Sequence, residues 1–112
     1  MSFSGAKLIL LIGGKLLTIR RDDDPSIPWP GLWDLPGGAR ENDESPEACV
    51  LRETAEETGL TLAPEALVWR KHYLRPNPAW FFAAKLGADA FSRVRLGGEG
   101  QAVALMHPAD WV

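Results

Sequence analysis

The sequence is short of several things, and each shortage excludes a class of protein. A single cysteine, Cys49, closes no internal disulfide and builds no thiolate zinc site, so the chain suits a reducing compartment, the cytoplasm first. The longest apolar run, residues 8–12, is far below the roughly 20 residues of a membrane-spanning helix, so no membrane partner is expected. No basic segment precedes an apolar stretch near the start, so no secretory signal is read there. A net charge of -3 is too mild, and of the wrong sign, for wrapping nucleic acid, and no nucleic-acid polymer is expected as a partner. No repeat or low-complexity tract divides the 112 residues, which read as one domain, 1–112. What is there is ordinary for a packed globule. A hydrophobic fraction of 46% and a charged fraction of 24% exclude a disordered chain, a collagen-like repeat and a coiled coil.

The small net charge hides an asymmetry. Between Glu41 and Glu57 stand seven acids (Glu41, Asp43, Glu44, Glu47, Glu53, Glu56, Glu57) against Arg52 alone, a local charge of -6. The remaining eight acids and eleven bases leave the rest of the chain at +3. Acids packed this closely repel, so the segment is either a solvated face or a site neutralised by a cation.

The apolar patterning predicts strands over residues 6–12 and 16–21, joined at Gly13-Gly14-Lys15 in a tight hairpin. Residues 22–32 carry Pro25, Pro28, Pro30 and Gly31 and read as a loop. A short strand over 32–35 is expected to stop at Pro36-Gly37-Gly38. Ser45-Pro46-Glu47 is a helix start: a hydroxyl cap, proline at the first helical position and an acid in the first turn. That helix should reach Thr58, with Gly59 as its C-terminal cap. Further strands are predicted over 66–74, 80–86 and 102–106, with an ill-defined connection at 88–98. Pro108 would begin a helix that the chain does not complete.

On a helix at 100° per residue, Glu53, Glu56 and Glu57 share one face. Ala48, Leu51 and Ala55 lie opposite and are expected to pack on the sheet. Arg52 stands at the boundary, placed to hold a carboxylate. Like charges at i, i+3 and i+4 destabilise a bare helix by a few tenths of a kcal/mol per pair, and a divalent cation reverses that sign. Carboxylate oxygens are hard ligands, which favours magnesium or manganese over zinc. Read alone, the three glutamates leave a solvated helix face open as the plainer alternative.

The flanking residues add a family resemblance. Gly38, five residues, Glu44, seven residues, then Arg52-Glu53-Thr54-Ala55-Glu56-Glu57-Thr58-Gly59-Leu60 resembles the Nudix box at its charged and glycine positions. Seven such identities at roughly 6% usage each would coincide on the order of 10⁻⁸ per starting position. Leu32-Trp33-Asp34-Leu35-Pro36-Gly37-Gly38 resembles the usual lead-in. The box covers residues 38–60 of the chain. One position departs from the pattern: Thr54, where the family carries an aliphatic residue. The resemblance implies an α/β (α+β) fold, an α/β/α sandwich around a mixed sheet, and a loop–helix–loop site for Mg2+ or Mn2+. It implies hydrolysis of a pyrophosphate linkage in a nucleotide, with water attacking phosphorus. Glu53, Glu56 and Glu57 would ligate the metal, Gly38 or Gly37 would offer a carbonyl, and Arg52 would orient Glu53. Glu44 is a weaker candidate, outer to the metal or structural.

Outside the box, Glu99 in Gly98-Glu99-Gly100-Gln101 resembles the late-loop glutamate of MutT-like members, which holds metal or acts as general base. A solvated loop acid is the alternative, and Glu53 or Glu56 could be the base instead. Arg20 and Arg21, at a strand end, suit the distal phosphates or pair with the acids at 22–24. Among the tryptophans, Trp29 in the proline-rich loop suits a nucleobase, while Trp33, Trp69 and Trp80 are expected in the core. Phe81 and Phe82 must face opposite ways on a strand. Cys49, His72 and His107 read as ordinary packing or surface residues. The first choice of substrate is a nucleoside triphosphate, oxidised ones included, giving nucleoside monophosphate and pyrophosphate. ADP-ribose or a nucleotide sugar is the alternative, with Pro76 as its cue. A non-catalytic nucleotide-binding regulator and a structural cation-binding module are the rivals of other classes. The family's sandwich needs a C-terminal helix over the second sheet face. With that helix incomplete, an apolar patch would be uncovered, and a homodimer is one way to cover it.

Overall fold

A computed structural model of the protein describes residues 3–20, 25–26, 32–97 and 102–110. Strand β1 (Gly5–Ile12) alternates half-buried and buried residues along its length, the signature of a strand with one covered and one open face. It turns through Gly13 and Gly14, both at positive φ, into β2 (Lys15–Arg20). Then follow β3 (Trp33–Asp34), β4 (Gly37–Ala39), the helix α1 (Pro46–Thr58), β5 (Trp69–Tyr73), β6 (Ala79–Leu86) and β7 (Ala102–Met106). The described residues form one mixed sheet in the order β3-β2-β1-β6-β5, with β4 paired to β1 and β7 to β2.

β1 is the centre. It runs parallel to β6 over its whole length, from Gly5 opposite Ala79 to Ile12 opposite Leu86. Its other edge is shared: β4 pairs with Gly5, Ala6 and Lys7, and β2 with Leu11 and Ile12. The core lies between the sheet and α1. Leu8, Leu10, Ile12 and Phe82 come from the strands and Val50 from the helix, all essentially without solvent contact. Each such side chain contributes about 1.5–3 kcal/mol of burial. No helix among the described residues is long and apolar enough to cross a membrane.

Several expectations needed correction. Gly37-Gly38 does not stop the chain but forms β4 with Ala39. At φ +138, Gly37 lies so close to β1 that a Cβ would overlap the Ala6 carbonyl, which only glycine permits. The strand expected over 66–74 is shorter, because Pro64–Ala66 closes a 3₁₀ turn first. The connection at 88–98 contains a 3₁₀ helix, Ala88–Arg93, and Pro108–Asp110 makes one 3₁₀ turn.

The helix starts and ends as its sequence requires. Ser45 Oγ accepts from the Ala48 amide, and Gly59 at φ +75 donates its N–H to the Ala55 carbonyl. Its buried stripe is Cys49, Val50, Thr54 and Thr58, whereas Ala48 is exposed and Leu51 and Ala55 are half-buried. The buried stripe is turned from the expected one, so that Glu53 and Glu57 flank the sheet, while Leu51 packs against the core as expected. Two tryptophans were also misassigned to the core. Trp33 is 39% and Trp69 42% exposed, while Trp80 packs half-buried against the core. Both exposed rings sit on strands at the periphery of the sheet, where an apolar ring has no second layer to enter.

Candidate active site

The site grows from the contact of α1 with β4. The Glu57 Oε1 atom accepts from the Gly37 N–H at 2.7 Å. One turn earlier, Glu53 lies against the next residue: a Cβ on Gly38 would sit 2.6 Å from the Glu53 carboxylate. The paired glycines thus form a bare ledge on which two carboxylates rest. Cys49 Sγ completes the ledge at 3.7 Å from the Gly38 carbonyl, and burial pushes its thiol up, so it serves as packing.

Burial pushes Glu57 up to about 7, and the Glu53 and Asp34 charges add to the rise. The Gly37 N–H and the Lys7 ammonium oppose it without cancelling it. Glu57 is therefore a carboxylate short of positive charge. Arg52 is the opposite. Its Nε and Nη2 donate to Glu44 at 2.6 and 3.0 Å, and Nη1 donates to Glu53 at 2.9 Å and Glu56 at 2.8 Å. Nη2 also donates to the Ala39 carbonyl at 3.0 Å, which ties the guanidinium to β4. Arg52 thus bonds to Glu53 and also gathers Glu44 and Glu56. This bond to Arg52 holds Glu44 below the usual carboxylate range. Glu44 is hence a fixed partner of Arg52.

A divalent cation fits this donor set. The ledge presents hard carboxylate oxygens, one of them buried and undercompensated. Among the described residues no three acidic, histidine or cysteine side chains already converge on one point. A cation would have to compete with Arg52 for Glu53 and Glu56. The end of α1 is tied down by the following connection: Arg95 N–H donates to the Thr58 carbonyl at 2.7 Å and Gly97 N–H to the Glu57 carbonyl at 3.0 Å. These bonds anchor the chain two residues before Glu99. Glu99 itself, with Arg21 and Trp29, lies outside the described residues. Arg20 is exposed at the end of β2, across from Trp33.

The sequence reading missed a cleft on the other face of the sheet. It has a volume of about 820 Å³ and is lined by Lys7, Ile9, Leu11, Trp69, Tyr73 and Phe81, with Leu35, Arg75, Pro76 and others at its margin. Phe81 enters it while Phe82 is fully buried, the opposition that strand geometry demanded. Lys7 donates to Asp34 at 2.7 Å at the inner end, near enough to Glu57 to bias its charge. Alternation on β1 and β6 was the signal available: odd-numbered positions gave Lys7, Ile9, Leu11 and Phe81. His72 stacks on Trp80 at 4.8 Å, and His107 Nδ1 accepts from Ala109, so neither enters the site.

The NUDIX domain family matches residues 3–109, and the chain belongs to that family. It is 44% identical over 66 residues to a MutT-like protein of Streptomyces ambofaciens, covering 59% of this chain and 39% of that protein. It is 33% identical over 101 residues to an RNA pyrophosphohydrolase of Gluconacetobacter diazotrophicus, covering 72% of this chain and 60% of that one. The chain therefore spans less than two-thirds of these relatives' lengths. A crystal structure of a MutT/nudix family protein from Enterococcus faecalis superimposes with TM-score 0.74 at 25% identity, covering 94% of this chain and 44% of that one.

Proposed function

We propose that the protein is a divalent-metal-dependent hydrolase of a pyrophosphate bond in a nucleotide, with a nucleoside triphosphate as its first substrate. The carrying observation is the pairing of two carboxylates on the Gly37-Gly38 ledge with an aromatic cleft that adjoins it through Lys7. An anionic polyphosphate cannot approach carboxylates unaided. A bound Mg2+ or Mn2+ would neutralise phosphate oxygens and lower the pKa of a water. Glu53, Glu56 and Glu57 would hold that ion, with the Gly38 carbonyl and Glu99 as further donors. Arg52 keeps Glu53 aimed while the ion is exchanged. The cleft, lined by Phe81, Tyr73 and Trp69, has the volume for a base, and Arg20, Arg21 and Trp29 are further contacts by the sequence reading.

In the reaction, the water oxygen bonds to phosphorus as the bridging P–O bond breaks. The water's proton passes to a carboxylate, and nucleoside monophosphate and pyrophosphate leave. The name of one relative, an RNA pyrophosphohydrolase, supports hydrolysis of a pyrophosphate bond. The test is release of pyrophosphate from nucleoside triphosphates, oxidised ones included, with ADP-ribose and nucleotide sugars in parallel, in Mg2+ and in EDTA. Metal-dependent release from a triphosphate is expected. Turnover of ADP-ribose alone would move the substrate to the alternative class, and nucleotide binding without turnover would make the protein a regulator.

A further inference from the structure

The last turn of α1 is built against its own electrostatics. It carries Glu56 and Glu57, with Glu53 one turn back, and no basic residue to offset the carbonyls left open at a helix C-terminus. A helix end of this kind frays readily. The Gly59 N–H reaches the Ala55 carbonyl, and later carbonyls are met from far along the chain. The Gly97 N–H donates to the Glu57 carbonyl at 3.0 Å, and the Arg95 N–H to the Thr58 carbonyl at 2.7 Å. Gly97 also lies against the Glu56 carbonyl: a Cβ there would sit 2.1 Å from the Glu56 oxygen and 3.2 Å from the Glu57 Cα. Gly97 is outside the left-handed region, so space and not conformation demands glycine at this position.

The segment that supplies these donors is itself fixed. It follows the 3₁₀ helix Ala88–Arg93, whose Ala90 is buried in the core cluster, and Val94 packs against that cluster. The Arg95 guanidinium folds back onto the Ser92 and Val94 carbonyls at 2.9 and 2.8 Å. Glu57 is thereby held from two sides: its carboxylate by the Gly37 N–H at 2.7 Å, its carbonyl by the Gly97 N–H at 3.0 Å. Neither glycine has room for a Cβ. We propose that Gly97 is a positioning residue, which fixes the last turn of α1 so that Glu56 and Glu57 stand ready for a divalent ion. It acts through the backbone of those two residues and supplies no ligand itself. Ligands held in place before the ion arrives need no ordering when it binds, so a support of this kind sets affinity. The inference rests on the proposed metal site.

The experiment is titration of the full chain with Mn2+ alone, read by the electron paramagnetic resonance signal of the free ion, beside amide hydrogen exchange without metal. Gly97→Ala should weaken Mn2+ binding by about ten- to a hundredfold. Exchange should quicken at the Glu57, Thr58 and Gly59 amides and stay unchanged at Leu8 and Leu10. A merely structural role would instead speed exchange throughout the core and leave the Mn2+ affinity of folded molecules as it was. With a nucleoside triphosphate, the Mn2+ concentration giving half the maximal rate should rise by the same factor, and saturating Mn2+ should restore most of kcat. Arg95→Pro removes the other N–H at a place where Val94, at φ -70 and ψ 133, already suits a following proline. It should weaken Mn2+ binding at least about threefold more than Arg95→Ala, which keeps that N–H. Should Gly97→Ala fail to fold, this pair decides the question, and equal affinities within it overturn the inference. Parent-like Mn2+ affinity in folded Gly97→Ala overturns this inference alone. No Mn2+ uptake by the parent would sink the proposed metal site and this inference with it.

Discussion

One sheet presents two surfaces that were built by opposite rules. Towards α1, strand positions Ala6, Leu8, Leu10, Trp80, Phe82 and Ala84 meet a helix and exclude water. Away from it, Lys7, Ile9, Phe81, Trp69 and Tyr73 line a cleft. The hydrophobic effect treats both alike in sequence, since Phe81 and Phe82 are neighbours of equal apolarity. The difference is whether a second layer lies above. The covered face supplies stability, and the other one leaves a cleft. The carboxylates stand where the two meet, at the short strand β4 that links the helix to the cleft.

This contrast can be broken in order of effect. The largest loss should follow Glu57→Gln, which keeps the bond from Gly37 but removes the buried negative charge. Turnover should fall by at least about a hundredfold while the circular dichroism spectrum persists. Turnover near the parent's would take Glu57 out of the metal site.

Next comes the adjacent pair of phenylalanines. Phe82→Ala should cost about 3–5 kcal/mol in urea unfolding, as a fully buried ring is lost. Phe81→Ala should cost well under half of that and instead raise KM for the nucleotide. Equal destabilisation by the two would mean that the open face is covered in solution.

Thr54 offers a smaller and opposite effect. It is fully buried, and its Oγ1 has no hydrogen-bond partner among the described residues. Thr54→Val keeps the shape and removes the stranded hydroxyl, so stability should rise by about 1 kcal/mol with turnover unchanged. A fall in melting temperature would show that the hydroxyl is satisfied.

Glu44 gives the smallest effect and a pH dependence. Its carboxyl is held below the ordinary range by Arg52, so its contribution is full above the unfolded-state value. That contribution fades as pH falls through the folded value. Glu44→Gln should therefore lower the melting temperature at pH 7 and converge on the parent in strong acid. A constant offset across that range would remove the ion pair as its cause.

Much of this was legible in residue order. Ser45, Pro46 and Gly59 set both ends of α1, because caps satisfy backbone groups locally. The spacing of Glu53, Glu56 and Glu57 put them on one side of it, because a helix has a fixed period. Gly13-Gly14 made the hairpin for a similarly local reason. The rotation of α1 was not legible: the preference for Cys49, Val50, Thr54 and Thr58 over Ala48, Leu51 and Ala55 depends on what faces the helix. Nor was β4, whose strand character comes from pairing with β1.

The chain by itself determined its punctuation, its alternation and the presence of a carboxylate helix, since these depend on neighbours within a turn or two. Only the tertiary structure decided that Trp69 is exposed and Phe82 is not, that Arg52 gathers carboxylates and a β4 carbonyl, and that Glu57 rests on Gly37. Burial and electrostatics are properties of what surrounds a group, and those surroundings arrive from residues distant in the chain.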